Sequence, residues 1–169
     1  MNMRTRAIVS AMCLAVLVLA GCAKPRTGPF DVPAAAPGRG GVSVAQDSDV
    51  RRAAGEIAAA RIYFAFNKYD LRPDARQTLS RVAELLRQYP AVRIAVHGHC
   101  DERGPNEYNY VLGERRARAA YGYLVRNGVS PSQLEMVTHG KKSPAVSGKG
   151  EAAWALNRRD EFIVLTLCN

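Results

Sequence analysis

The amino-acid sequence predicts a single α/β domain in the C-terminal two thirds of the chain. Apolar residues alternate with polar or small residues in several short stretches, a period typical of half-buried strands. Between these stretches apolar residues recur every three or four positions, which indicates helices. Because strands and helices take turns along the chain, we expect βαβ units, with some parallel strand pairs and helices packed on the sheet.

The first half of this domain starts with a strand and continues with a helix. Ile62, Phe64 and Phe66 alternate along the chain and predict the first strand. Pro73 suits the first turn of a helix, which we expect to end at Tyr89. The helical spacing between these ends comes from Ala75, Leu79, Val82 and Leu86.

The second half repeats the alternation. Val92, Ile94 and Val96 predict a second strand. A helix over residues 109–126 follows, and Asn127-Gly128 suits its end. The remaining predicted elements are a strand over 134–138, a polar loop over 140–150, a short helix over 151–156 and a last strand over 162–167.

The N-terminal 22 residues have the layout of a secretory signal. Arg4 and Arg6 precede an apolar run over 7–20, which is shorter than the roughly 20 residues that span a bilayer. The run ends in Leu-Ala-Gly-Cys, which resembles the lipobox of bacterial lipoproteins. That resemblance implies cleavage after residue 21 and a lipid on Cys22; an uncleaved anchor or an ordinary signal is the alternative. In such lipoproteins Ala23, where inner-membrane members often carry Asp, favours the outer membrane.

Residues 22–55 are rich in proline, glycine and alanine, and we interpret them as the lipidated cysteine and a flexible tether. The folded domain is expected over 56–169. Once residues 1–21 are removed, 22 basic and 15 acidic residues remain, a net charge of +7 that favours anionic partners. In a secreted protein, anionic cell-wall polymer or lipid headgroups fit better than nucleic acid. Of the cysteines beyond the signal and Cys22, only Cys100 and Cys168 are left, and the sequence leaves open whether they pair.

The segment after the second strand carries the chemistry. A helix that begins near the carboxyl end of a strand offers free N–H groups and a positive dipole end to an anion. Leu112, Arg116, Ala120 and Leu124 share one helix face, so Arg116 lies in an apolar stripe. Its head either reaches water at the edge of the stripe or is held in a crevice, where it can bind a carboxylate. Asp101 is the natural counter-group for Arg116, although alone it also suits a loop or cap.

Several ordered motifs in this region carry a resemblance. They are Gly-His-Cys-Asp-Glu-Arg-Gly-Pro-Asn-Glu-Tyr-Asn over 98–109, Leu-Gly-Glu-Arg-Arg-Ala over 112–117, Phe-Ala-Phe-Asn-Lys-Tyr-Asp-Leu over 64–71, Gly-Lys-Lys-Ser-Pro-Ala over 140–145 and Asn-Arg-Arg over 157–159. Together they resemble OmpA-like peptidoglycan-binding domains, and among these the lipoproteins of the Tol-Pal system. The resemblance covers roughly residues 61–167. It implies a single OmpA-like domain with a βαβαβ-type mixed sheet of about four strands.

The resemblance also implies a ligand, the meso-diaminopimelate side chain of peptidoglycan, whose exposed end carries an ammonium and a carboxylate. By resemblance, Asp101 takes the ammonium and Arg116 the carboxylate, with help from N–H groups at the start of the helix. The other ligand-binding residues that it implies are Phe66, Asn67, Asn109 and Leu112. Many relatives have Asp in place of Asn67, and Thr or Ala in place of Cys100, to which we assign no role. Binding is expected to be non-covalent, with no turnover, no cofactor and no metal.

The partners that the resemblance implies are diaminopimelate-type peptidoglycan, the outer membrane through the N-terminal lipid, and the propeller protein TolB with other Tol proteins. The domain then faces the periplasm and serves envelope integrity and cell division. An alternative is an OmpA-like lipoprotein with another envelope partner.

Two distant alternatives are cell-wall hydrolases. A metal enzyme would use His97, His99, Cys100 and His139, but strand alternation separates Cys100 from the two preceding histidines. A His-x-His pair also needs a third ligand from elsewhere, and no motif has a defined zinc spacing. A cysteine hydrolase would pair Cys100 with His99, yet sequence neighbours on a strand point apart.

Overall fold

The computed structural model describes the backbone of residues 44–167 and the side chains of residues 46–165. The predicted signal peptide, Cys22, the tether up to residue 43 and Cys168 lie outside these residues. No helix in the described range is both long and apolar enough to cross a membrane. The elements in chain order are α1 (Val44–Ala59), β1 (Arg61–Tyr63), α2 (Pro73–Gln88), β2 (Val92–His99), α3 (Asn106–Arg126), a 3-10 turn (Pro131–Gln133), β3 (Leu134–Gly140), α4 (Glu151–Asn157) and β4 (Arg159–Leu167).

The four strands form one mixed sheet in the order β1-β4-β2-β3. β2 and β3 run parallel and are joined through α3, which makes the βαβ unit that the sequence predicts. β4 lies between β1 and β2 and pairs antiparallel with both. The predicted mixed α/β sheet of about four strands is therefore confirmed.

The core lies on one face of this sheet. Side chains from α1, α2 and α3 pack there against alternate strand residues, among them Ile94, Val96 and Phe162. The opposite face is more open, and Val137 and Ile163 on it are 37% and 38% exposed. The sheet thus has a helix-covered face and an open face, names that we keep below.

The domain begins earlier than the predicted boundary at residue 56. α1 covers part of the predicted tether, and Val50, Ala53, Ala54 and Ile57 fall at helical spacing along it. Ala53, Ala54 and Ile57 are buried, and burial of such a stripe supplies most of the stability of a helix in a protein. The dense prolines and glycines upstream hide this period in the sequence.

Other bounds also differ from the prediction, and three of them bear on the site. β1 ends at Tyr63 instead of running to residue 66, because the chain leaves the sheet there and the Phe64 N–H bonds the carbonyl of Arg158 at 2.9 Å. α3 begins one turn early, at Asn106, and β4 begins at Arg159. The first shift turns predicted strand residues into a loop, and the other two turn predicted loop residues into the starts of α3 and β4.

A close contact fixes α3 on β2. A Cβ atom built on Gly98 would lie 2.0 Å from the backbone oxygen of Gly113, so only glycine at position 98 permits this approach. On the same side of α3, the hydroxyl of Thr138, which pairs with Gly98 across the two strands, donates a 3.0 Å hydrogen bond to the Tyr110 carbonyl. The start of α3 is therefore held beside the ends of β2 and β3.

Candidate functional site

A pocket of about 310 Å³ opens beyond the carboxyl end of β2, between the segment after β1 and the first turns of α3. This is where the sequence predicts ligand binding. All six predicted ligand-binding residues line it, namely Phe66, Asn67, Asp101, Asn109, Leu112 and Arg116. The structure therefore brings the predicted set together, although its role in binding stays a prediction.

Asp101 is a buried carboxylate held by two arginines. It is 4% exposed, and its oxygens accept hydrogen bonds from the Arg103 side chain at 2.6 and 3.2 Å and from Arg158 Nη1 at 3.3 Å. The backbone N–H of Arg103 donates a further bond at 3.1 Å. Burial alone would raise the pKa of Asp101, but the hydrogen bonds from Arg103 and Arg158 hold it below its usual value. Asp101 is thus charged at neutral pH.

Arg116 is fully buried, so of the two sequence interpretations the one in which its head reaches water is wrong. Its Nε donates to the Lys68 carbonyl at 2.9 Å, Nη1 to the His99 carbonyl at 2.8 Å and Nη2 to the Ala65 carbonyl at 3.3 Å. The guanidinium therefore ties the segment after β1 to the end of β2. Arg116 shapes the pocket as well as lining it.

Asp101 is not the counter-group of Arg116, as the sequence suggested. Among the described residues the ion pairs of Asp101 are those with Arg103 and Arg158, whereas Arg116 is hydrogen-bonded to carbonyl oxygens. A carbonyl carries no full negative charge. The positive charge of Arg116 is consequently not neutralised by a bonded carboxylate, which suits a site that receives an anionic group.

Arg103 and Arg158 belong to the pocket and were missed from the sequence. The Arg103 guanidinium lies between two aromatic rings, 3.9 Å from the centroid of Phe66 and 4.0 Å from that of Trp154. Arg158 is 5% exposed and also donates to Glu151 at 2.5 Å. Arg158 was part of a quoted motif, but only the fold shows that β4 starts beside the end of β2.

The rim of the pocket is built from the segment after β1 and the start of α3. Asn67 has a φ of 57°, a conformation that asparagine tolerates better than most residues, and it accepts a hydrogen bond from the Tyr108 hydroxyl. The Asn109 amide donates to the carbonyls of Arg103 at 2.7 Å and Pro105 at 3.0 Å. Asn67 therefore suits the left-handed backbone at its position, and the Asn109 amide holds the loop before α3. Both structural roles are independent of any contact with a ligand.

α3 points its N-terminal end at this pocket. Its N-cap is Pro105, which makes no side-chain cap hydrogen bond, and Pro105 and Tyr108 both line the cavity. The first N–H groups of a helix have no partner within the helix and carry partial positive charge. They add donors for an anion to the same pocket that Arg116 lines.

Cys100 is an inert thiol in this setting. Burial raises its pKa to about 11, and its S–H donates to the Asn109 carbonyl at 3.3 Å. The ring of His99 stacks on His139 on the open face of the sheet. A protonated thiol without a neighbouring base is not an activated nucleophile, which argues against the cysteine hydrolase alternative.

The metal-ligating groups that come together lie away from this pocket. His97, His99 and His139 form a cluster on the open face, so the third ligand that the His-x-His pair needs does come from elsewhere in the chain. The third ligand is His139, which β3 places beside β2. As expected from alternation, Cys100 is on the other side, where it lines the pocket.

Comparison with known proteins agrees with the geometry. A family model described as the OmpA family matches residues 63–158, more than half of the chain. The chain belongs to the OmpA family. The matched range contains all six predicted ligand-binding residues and the two additional arginines of the pocket.

Two curated relatives share one name. A peptidoglycan-associated lipoprotein of Pseudomonas aeruginosa is 40% identical over 161 residues, which cover 90% of this chain and 94% of that protein. Another from Mesorhizobium japonicum is 37% identical over 155 residues, covering 92% and 90%. The likeness therefore extends over nearly the whole length of both relatives.

Solved structures show the same fold. The crystal structure of the peptidoglycan-associated lipoprotein from Burkholderia pseudomallei superposes with a TM-score of 0.63 at 36% identity, covering 65% of this chain and 93% of that one. The C-terminal domain of Helicobacter pylori MotB gives a TM-score of 0.60 at 24% identity, covering 63% and 84%, and shows the fold alone. The predicted OmpA-like domain is thus confirmed.

Proposed function

We propose that this protein binds peptidoglycan non-covalently, through the diaminopimelate side chain of its stem peptides, and staples the cell wall to the outer membrane. The observation that carries this proposal is the pocket itself. It combines a charged carboxylate, Asp101, with a buried guanidinium, Arg116, that no carboxylate of the described residues bonds. Membership of the OmpA family and the relatives named peptidoglycan-associated lipoprotein support it.

The chemistry of the ligand matches these two charges. The exposed end of a diaminopimelate side chain carries an ammonium and a carboxylate on one carbon. In the proposal Asp101 accepts hydrogen bonds from the ammonium, and the carboxylate lies near Arg116 and the N–H groups at the start of α3. Asp101 already bonds Arg103 and Arg158, so the ammonium shares this carboxylate or displaces Arg103, which is 30% exposed.

Anchoring is proposed to come from lipid on Cys22. The residues between Cys22 and the start of α1 then connect the anchor to the domain, with the outer membrane as its site and the periplasm as its compartment. TolB and other Tol proteins are the proposed protein partners. Since the proposed TolB surface overlaps the pocket, TolB and peptidoglycan should compete, and simultaneous saturation of both would contradict that part. We propose no enzymatic activity.

Co-sedimentation with purified sacculi tests the proposal. The full-length protein in detergent is titrated against diaminopimelate-type wall and against lysine-type wall, whose side chain keeps the ammonium and lacks the carboxylate. Asp101→Asn removes the charge and keeps the shape. Arg116→Lys keeps the charge but not the three carbonyl contacts, so its thermal melt must be measured alongside.

A matched control is Glu135→Gln, which removes an exposed carboxylate of β3 that pairs with Arg93 far from the pocket. We expect binding to diaminopimelate-type wall only, lost in Asp101→Asn and unchanged in Glu135→Gln. Equal binding to both wall types would refute recognition of diaminopimelate. Absence of binding to either would indicate an OmpA-like lipoprotein with another partner.

A further inference from the structure

We propose that His97, His99 and His139 form a binding site for a divalent first-row transition ion of the zinc, copper and nickel group. Each histidine offers one ring nitrogen, and the three nitrogens lie within 4.8 Å of one another. These are all the histidines of the chain, and they converge from two strands on one spot. Imidazole is the ligand that these ions share.

The distances come close to those of a bound ion. His139 Nε2 and His97 Nδ1 share a 2.9 Å hydrogen bond, which an ion bound by both nitrogens would replace, and the rings of His99 and His139 stack with centroids 4.7 Å apart. Because zinc–nitrogen bonds are about 2.0–2.1 Å long, two nitrogens on a tetrahedral zinc lie roughly 3.4 Å apart. The most distant nitrogen therefore has to move by roughly 1.4 Å, which ring rotation can supply.

His99 has the hydrogen bond that a metal-binding histidine needs. Its Nδ1 lies 3.1 Å from the Ser143 carbonyl, which can only accept, so a neutral ring carries its proton on Nδ1. Nε2 is then left with its lone pair. His99 is only 3% exposed, and its Nε2 is buried with no hydrogen-bond partner in the described part of the chain. A carbonyl that holds the second nitrogen is the usual outer partner of a ligating histidine.

Burial disfavours protonation of two of the three rings. Burial, together with Arg159 and His139, lowers the pKa of His99 to about 4, and burial also lowers the pKa of His97. Neutral imidazoles bind metal without first losing a proton. Arg159 disfavours a cation, but Glu161 pairs with Arg159 at 2.8 Å and Arg61 at 3.3 Å and offsets part of that charge.

The cluster is separate from the pocket. His97 and His99 point to the open face of the sheet, whereas α3 and the pocket lie at the helix-covered face and the end of β2. Three protein ligands leave a fourth position for water or an external group. Metal binding and peptidoglycan binding can therefore be measured independently.

Zinc titration of the full-length protein, purified without a histidine tag, tests the site by calorimetry and by metal analysis after dialysis. We expect one zinc per chain and no binding of Mg²⁺, which prefers oxygen ligands. His97→Gln and His139→Gln should each weaken zinc binding at least about tenfold. Zinc at the same concentration should raise the Tm of the parent but not that of the double variant His97→Gln/His139→Gln.

Glu135→Gln, also on the open face, is the matched control and should bind zinc like the parent. Retained sacculus binding by the histidine variants shows that they are folded. The proposal is overturned if the parent shows no saturable zinc uptake, or if uptake by the folded double variant equals that of the parent.

Discussion

Two buried aspartates near neighbouring strand ends differ in the hydrogen bonds that their carboxyl groups accept, and their pKa values shift in opposite directions. Asp101 follows β2 and is 4% exposed, while Asp160 lies in β4 opposite Gly98 and is fully buried. Asp101 accepts hydrogen bonds from Arg103 and Arg158, which hold its pKa low. Neither oxygen of Asp160 has a hydrogen-bond partner in the described residues.

Burial raises the pKa of Asp160 well above its usual value, although Arg116 and Arg159 act in the opposite direction. Nearby positive charge alone therefore does not offset the effect of burial on the pKa of Asp160, whereas directed hydrogen bonds do so for Asp101. In the proposed function Asp101 provides a charge for the ligand, whereas Asp160 is a buried carboxyl without a hydrogen-bond partner among the described residues.

The largest effect that separates the two positions should be on sacculus binding. Asp101→Asn removes the charge that faces the ligand, and loss of one partner of a desolvated charge pair costs about 2–5 kcal/mol, or roughly 30-fold or more in affinity. Asp160→Asn leaves the pocket charges in place and should bind within about twofold of the parent. Binding isotherms on diaminopimelate-type sacculi measure the affinities of both variants. Equal losses of affinity would contradict the distinction between Asp101 and Asp160.

The next effect is on stability. Asp160→Val removes an unpartnered carboxyl and places a β-branched residue in a strand, so we expect the free energy of unfolding to rise by about 1–3 kcal/mol. Urea denaturation at neutral pH measures this. A destabilised Asp160→Val variant would mean that the carboxyl is bonded in the native state.

The contributions of Asp160 and Asp101 to the free energy of unfolding should change with pH in opposite directions. Asp160 has a raised folded pKa, so its carboxyl binds protons more tightly in the folded chain. Its contribution is most favourable below the unfolded value of 3.8 and declines as pH rises through the folded pKa. The advantage of Asp160→Val should therefore grow as the pH rises above about 4.

Asp101 has a lowered folded pKa, so its contribution is present above 3.8 and is lost as pH falls through the folded value. The deficit of Asp101→Asn should shrink on acidification. Denaturation of the three proteins across this pH range measures both trends, and parallel curves for the two variants would contradict the comparison.

The smallest expected effect concerns Glu151, the outer partner of Arg158. Its side chain is 64% exposed, so the pair with Arg158 is weakened by solvent. Glu151→Gln should lower the free energy of unfolding by less than about 1 kcal/mol and leave sacculus binding nearly unchanged. A loss as large as that of Asp101→Asn would show that Arg158 depends on Glu151 to hold Asp101.

The six predicted ligand-binding residues came from the resemblance to OmpA-like domains. They lie in two contiguous segments, after β1 and after β2, and the strand ends that carry them meet at one edge of the sheet. Arg103 and Arg158 were not predictable as site residues, since their partners depend on ring stacking and on where β4 starts.

His97, His99 and His139 were named from the sequence as candidate metal ligands, but their convergence at one spot was not predicted. Alternation places His97 and His99 on one face, but the position of His139 depends on the register of β3 against β2, which shifts between Gly98 and His99. In α1 a regular helical period was present, and the prolines and glycines before it led us to extend the tether too far. The local sequence pattern thus predicted helices and strands, whereas the position of His139 beside His97 and His99 depends on how the strands pair.

The most direct test of the binding account is the affinity of the full-length protein for diaminopimelate-type sacculi, measured beside Asp101→Asn and Asp160→Asn. We predict saturable binding that Asp160→Asn retains and Asp101→Asn loses, with no binding by the parent to lysine-type wall. Retention of binding by a folded Asp101→Asn variant would contradict the assignment of Asp101 as the carboxylate that receives the ligand.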